Sequence, residues 1–132
     1  MRKVAVVGAG KIGSTVLELL IQSGAYEVVV IDQSKAALKA LPTRGHPEKI
    51  HLPVETPQAL AQALRGCFAV ISCAPYHLTT VVAQAAKAAR VHYLDLTEDV
   101  AASRIVRELA ADSETAFIPQ CGLAPGFITI AA

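Results

Sequence analysis

The sequence predicts an α/β domain, a doubly wound parallel sheet of about six strands with helices on both faces. Three observations carry this. Short apolar runs alternate with segments of helical periodicity along the whole chain of 132 residues. Hydrophobic residues make up 53% and charged residues 17%, which suits strands buried on both faces. The opening apolar run stops at Gly8, and Gly10 and Gly13 follow where a helical pattern begins.

The first strand is expected over residues 3–7. The glycines after it have the spacing G-x-G-x-x-G. After a strand and before a helix, that spacing marks a turn that holds the pyrophosphate of a dinucleotide. Gly8 permits the turn off the strand, Gly10 lets the backbone approach the phosphates, and Gly13 lets the helix pack closely. The helix then directs unpaired N–H groups and its positive dipole end at the anion. Its apolar face is read as Ile12, Val16 and Leu20, and it should end at Gly24, a natural left-handed cap.

The second strand, residues 27–31, runs into Asp32, which lies 19 positions beyond Gly13. A carboxylate there accepts the ribose hydroxyls of the adenosine half and repels a 2′-phosphate, which favours NAD over NADP. Ser34 and Lys35 follow immediately and can support a phosphate, so NADP stays open. The plainer alternative is that Asp32 only caps the next helix.

A short helix over residues 35–41 ends at Pro42. A third strand is expected over residues 50–54, interrupted by Pro53. Thr56-Pro57 opens a helix that ends near Gly66. Residues 68–73 form the fourth strand. The loop Ala74-Pro75-Tyr76-His77 at its carboxyl end should face the cofactor, because ligands of open parallel sheets sit there. An alanine-rich helix over residues 78–89 leads to a fifth strand over residues 91–96, with Asp95 near its end. Asp95 and Glu98 are candidate site carboxylates; alternatively, Thr97 caps the helix of residues 100–111 while Glu98 and Asp99 complement its dipole, the reading preferred for Glu98 and Asp99. A sixth strand over residues 115–119 runs into a second glycine-rich turn, residues 120–127. Residues 128–132 read as the first turn of another helix.

The net charge is +1 and no basic run occurs, so neither nucleic acid nor a membrane surface is an expected partner. Cys67, Cys73 and Cys121 form no C-x-x-C and no metal spacing, which fits buried thiols in a reducing cytoplasm. The chain opens directly on a strand, and no apolar segment reaches the ~20 residues of a membrane helix. No signal peptide or membrane span is therefore expected.

The opening V-x-V-V-G-A-G-K-I-G, the S-C-A-P-Y loop, the strand V-H-Y-L-D-L-T-E and the terminal C-G-L-A-P-G-F-I-T-I together resemble the NAD(P)-binding domain of the saccharopine dehydrogenase family. The A-P-G form leans toward its lysine dehydrogenase branch. The resemblance implies a Rossmann domain that holds a nicotinamide cofactor for amine oxidation or imine reduction. It implies a second domain that supplies the amino-acid pocket and the contacts of a homodimer. By the same resemblance, Gly8, Gly10, Lys11, Ile12, Gly13, Asp32, Gln33, Ala74, Pro75, Thr97 and Gly122 bind the cofactor. Asp95, Thr97 and the segment 122–126 border the nicotinamide and substrate. Thr129 departs from the asparagine or aspartate often found after the P-G turn, which leaves the substrate open.

Oxidation of an amine to an imine needs a base for the departing proton. His77 and Asp95 are the candidates in this chain, with Cys121 further by position and a group from the second domain as the alternative. A helix-start Tyr76 and a solvated His77 are the plainer reading of that loop. The competing class is a stand-alone NAD-binding regulatory module of the kind attached to potassium channels. It shares the glycine motif and the strand-end acid.

Overall fold

The computed structural model describes residues 2–53, 56–96 and 100–118. The expected α/β architecture is present. Strands β1 (Arg2–Val7), β2 (Tyr26–Asp32), β3 (Glu48–His51), β4 (Ala69–Ser72), β5 (His92–Asp95) and β6 (Phe117–Ile118) alternate with helices α1 (Lys11–Ser23), α2 (Lys35–Ala40), α3 (Pro57–Leu64), α4 (Thr79–Ala89) and α5 (Val100–Ala110). The sheet is parallel at each pairing, with the order β3-β2-β1-β4-β5-β6. This is the Rossmann order, in which the winding reverses between β1 and β4.

Successive side chains of a strand point to opposite faces, and β1 shows why both faces must be covered. Ala5 and Val7 enter a core with Leu60 and Leu64 of α3, Val82 of α4 and Val106 of α5. Val6 enters a second core with Leu17 of α1 and Leu38 of α2. All three β1 residues are completely buried. Burial of each of the two valine side chains contributes about 1.5–3 kcal/mol relative to exposure. The α1 and α2 layer therefore lies on one face and the α3, α4 and α5 layer on the other.

Three readings need correction. The inward face of α1 centres on Gly13 and Leu17, with Val16 and Leu20 at its margins, while Ile12 is 58% exposed. Leu17 belongs to the same helical stripe one turn beyond Gly13, and close packing at the small glycine turns the helix toward that line. The third strand ends at His51, before Pro53, instead of starting at Ile50. Its register is set by β2, where Val29 to Asp32 pair with Glu48 to His51, and Pro53 has no N–H for the ladder. The sixth strand starts at Phe117, not at residue 115, and runs through Ile118 among the described residues. The remaining elements match their expected positions within a residue or two. α1 ends at Gly24, in the left-handed region at φ 67°, with its N–H donating to the Ile21 carbonyl at 3.1 Å.

Candidate cofactor-binding site

The reversal between β1 and β4 places the two adjoining loops on opposite faces and leaves a crevice at the strands' carboxyl ends. A shallow cleft there is lined by Val7, Gly8, Asp32, Gln33, Ala74, Pro75 and Leu78. The fold thus brings together five residues that the sequence assigns to the cofactor, from three separate loops. Leu78 was not singled out. It reaches the cleft because a single 3-10 turn, Tyr76–Leu78, folds the loop back after Pro75, and the Leu78 N–H donates to the Pro75 carbonyl at 2.9 Å.

The three glycines divide into two kinds. Gly8 lies at φ +106°, and a Cβ on it would stand 2.7 Å from the Cys73 carbonyl oxygen and 2.9 Å from the Ala74 nitrogen. A Cβ on Gly13 would stand 1.8 Å from the Gly8 carbonyl oxygen. Both positions are therefore closed by the chain's own backbone. Gly10 is different. It lies at φ −75°, which any residue tolerates, it is exposed, and a Cβ on it would meet none of the described residues within 4 Å. The open space beside Gly10 fits a group that must come close to the backbone, as a pyrophosphate does.

The start of α1 fits the same group. Its first turn carries no acidic residue, and Gly10, the capping residue, has no side chain to accept from its N–H groups. The first intrahelical bond runs from the Ser14 N–H to the Gly10 carbonyl at 2.8 Å. The N–H groups of Lys11, Ile12 and Gly13 precede it and have no intrahelical acceptor. α2 is finished differently, with the Ser34 hydroxyl accepting from the Ala37 N–H at 3.1 Å. Lys11 and Ile12 are exposed at this opening.

Asp32 joins two loops. One carboxylate oxygen accepts from the Ala9 N–H at 2.6 Å, inside the glycine turn, and the other from the Ser34 N–H at 2.7 Å. Ser34, not Asp32, caps α2, so the plain capping alternative does not account for the aspartate. Each carboxylate oxygen retains acceptor capacity after these bonds. The turn is also held by the strands beside it, with the Gly8 N–H donating to the Ile31 carbonyl and the Cys73 N–H to the Val7 carbonyl, each at 2.8 Å.

The candidate bases are placed differently. His77 is exposed on the 3-10 turn beyond β4. Asp95 is 1% exposed, and one of its oxygens accepts from the Tyr93 hydroxyl at 2.6 Å, on the same face of β5. Ser72 pairs with Asp95 in register, and its buried hydroxyl has no hydrogen-bond partner among the described residues. Cys73 packs 3.6 Å from the Cβ position of Gly13, and burial pushes its thiol up to about 12. It is a packing residue, not a thiolate. Thr97, Glu98, Asp99, Cys121, Gly122, Thr129 and the second glycine turn lie outside the described residues.

Comparison with solved structures adds the fold-level context. A saccharopine dehydrogenase (L-Glu forming) from Saccharomyces cerevisiae superposes with a TM-score of 0.87 at 22% identity, over 99% of this chain and 29% of that one. GenD2 from gentamicin A biosynthesis, in complex with NAD, gives 0.73 at 22% identity over 97% of this chain and 37% of its own. RSP, a Rex-family repressor, gives 0.66 at 16% identity over 99% of this chain and 57% of its own. This chain thus spans under a third of the saccharopine dehydrogenase it matches. No described helix is long and apolar enough to cross a membrane. These likenesses establish the fold, which enzymes and a repressor share. The decision comes from the family model of the saccharopine dehydrogenase NADP binding domain, which matches residues 4–117, from within the first strand through the sixth. With the open position at Gly10 and the uncapped helix behind it, this identifies the chain as a member of the saccharopine dehydrogenase NADP-binding domain family, with a nicotinamide dinucleotide as its cofactor.

Proposed function

We propose that this domain is the cofactor-holding part of a two-domain oxidoreductase acting on a carbon that bears an amine. The observation that carries the reading is Gly10, where a Cβ would meet none of the described residues within 4 Å, which leaves room for the pyrophosphate. Gly8, Gly10, Lys11, Ile12 and Gly13 hold that group. Asp32 and Gln33 receive the adenosine ribose. Ala74 and Pro75, with Thr97 and Gly122, border the nicotinamide side. The spare acceptor capacity of Asp32 supports NAD over NADP, and the family's description as NADP-binding keeps NADP as the competitor.

When bound, the cofactor supplies hydride chemistry, accepting a hydride as an amine is oxidised to an imine or giving one in the reverse direction. The chain's own work is to position the cofactor, exclude water and manage the amine proton. His77 is the better placed base of the two candidates, since it is exposed beside the loop that lines the cleft. Asp95 is buried and accepts from the Tyr93 hydroxyl, and is better suited to holding the end of β5. A base from the second domain is the alternative to His77. That domain also supplies the substrate pocket and the homodimer contacts in this reading.

The test has two parts. Calorimetry with NAD and NADP checks the cofactor site, with tighter binding of NAD expected. A dehydrogenase assay of the full-length polypeptide with lysine, saccharopine and related diamines checks the substrate class. Absence of reduced nicotinamide with all of them would remove the amine assignment. The regulatory-module reading is favoured instead if the reading frame does not continue for a further ~200 residues, the size of a second domain.

A further inference from the structure

We infer that His51 is a positioning residue for the adenosine end of the cofactor site and thereby biases the choice between NAD and NADP. The inference rests on the proposed role of Asp32 and extends it to a residue on another strand. His51 is the last residue of the edge strand β3 and pairs in register with Asp32. The Leu52 N–H donates to the Asp32 carbonyl at 3.0 Å, so the ends of β2 and β3 stay together beyond the ladder. The His51 Nε2 lies 2.9 Å from the Gln33 carbonyl oxygen. A carbonyl only accepts, so Nε2 carries the proton.

The consequence lies in which peptide unit is held. The Gln33 carbonyl and the Ser34 N–H belong to one planar group, pointing in opposite directions. His51 donates to one end of it, and Asp32 accepts from the other end at 2.7 Å. The second oxygen of Asp32 accepts from Ala9 in the glycine turn. A single line of hydrogen bonds therefore runs from the edge strand, through the 33–34 peptide and the Asp32 carboxylate, into the turn that receives the pyrophosphate. Such a chain polarises each of its members. With the peptide plane fixed, the remaining lone pairs of Asp32 point in one set of directions. Those directions matter for a ribose 2′-hydroxyl, which must donate to the carboxylate. They matter far less for a 2′-phosphate, which has no proton to give and draws on Ser34 and Lys35 instead. His51 therefore favours NAD without touching it.

The test compares His51→Ala and His51→Gln with the unaltered protein, using NAD and NADP separately in calorimetry and circular dichroism to check folding. His51→Ala should weaken NAD about threefold to fivefold, a part of the worth of one hydrogen bond because the bond lies within the protein and acts through Asp32, and change NADP less than twofold. His51→Gln keeps an N–H donor within similar reach and should restore most of the NAD affinity and the original ratio. The inference is overturned if His51→Ala folds and leaves the NAD-to-NADP ratio unchanged, or if His51→Gln folds and performs no better than alanine. If the unaltered protein binds neither dinucleotide, the site assignment itself fails along with this extension. That outcome is distinct from an unchanged ratio.

Discussion

Replacing Gly13 by alanine should unfold part of what holds this site, although glycine to alanine within a helix normally stabilises. The propensity gain is about 1 kcal/mol. Against it stands a methyl group placed 1.8 Å from the Gly8 carbonyl oxygen and 2.9 Å from its carbon. Moving the oxygen contact out to 3.0 Å requires about 1.2 Å of separation, and neither side yields cheaply. The Gly8 carbonyl is backbone, its own N–H is tied to Ile31, and the space over Gly8 is closed by the Cys73 and Ala74 backbone. α1 is anchored one turn on by Leu17, which is completely buried. Backbone overpacking of this kind costs more than the usual ~1–3 kcal/mol for added methylenes, so a net loss of about 2–3 kcal/mol is expected. For a domain of this length that lowers the melting temperature by roughly 6–15 °C. Gly10→Ala is the control. Its methyl meets none of the described residues within 4 Å, so the melt should stay within about 1 kcal/mol of the unaltered protein, while dinucleotide affinity falls at least tenfold. Thermal denaturation and calorimetry on both variants read this directly. An unchanged melt for Gly13→Ala would refute the packing argument, and unchanged affinity for Gly10→Ala would refute the placement of the pyrophosphate.

Three other perturbations follow from the same geometry. Asp32→Ala removes the acceptor of the Ala9 and Ser34 N–H groups; it should cost about 1–2 kcal/mol of stability and weaken NAD more than NADP, and equal losses in calorimetry would remove the basis for the cofactor preference. Tyr93→Phe leaves the buried Asp95 carboxylate without its 2.6 Å donor. A drop of about 2–3 kcal/mol in a urea titration is expected, and a curve matching the unaltered protein would show that the bond contributes nothing net. The Cys73 thiol, raised by burial from 9.0 to about 12, should be alkylated by iodoacetamide at pH 8 far more slowly in the folded than in the unfolded protein. The folded state keeps a proton that the unfolded state releases above pH 9, so this contribution to stability is complete below pH 9 and is lost as pH rises toward 12. Rapid labelling of the Cys73 peptide, followed by mass spectrometry, would contradict that burial.

What was legible in the sequence is what depends on neighbours along the chain. β1, the glycine turn, α1 and the acid at the end of β2 form one continuous stretch, and their order and residue types identify it. The roles of the glycines were legible in part. Close approach at Gly13 was expected; its nearest neighbour is the Gly8 carbonyl within the turn, with the Cys73 Cβ at the end of β4 next at 3.6 Å. Features that depend on register were hidden. β3 is an edge strand with mixed burial, so apolar content was a poor guide to its limits and Pro53 only bounded it. His51 carries no local signal at all, because its partner Gln33 is 18 positions away and is brought beside it by pairing of β2 with β3. The Tyr93–Asp95 bond shows the intermediate case. Alternation puts both residues on one face of β5, yet only the covering helices decide that the face is buried.

The arrangement of the turn also bears on how the cofactor is received. A flexible glycine loop would have to be ordered on binding, and that loss of freedom would weaken affinity. This loop has little freedom left. Gly8 is held by Ile31 and closed over by the Cys73–Ala74 backbone, Ala9 is held by Asp32, and Gly13 is seated against the Gly8 carbonyl. Among the described residues, nothing lies within 4 Å of a Cβ position on Gly10, and the N–H groups that follow it have no intrahelical acceptor. The glycines at the two ends therefore make the turn rigid, and the middle one makes it accessible. Glycine is usually read as permissiveness, but here two of three positions use the absence of a side chain to allow tighter packing. A ligand whose phosphates match the direction of those N–H groups meets a surface already in place, and the same rigidity transmits the orientation of Asp32, set from β3, to the turn itself.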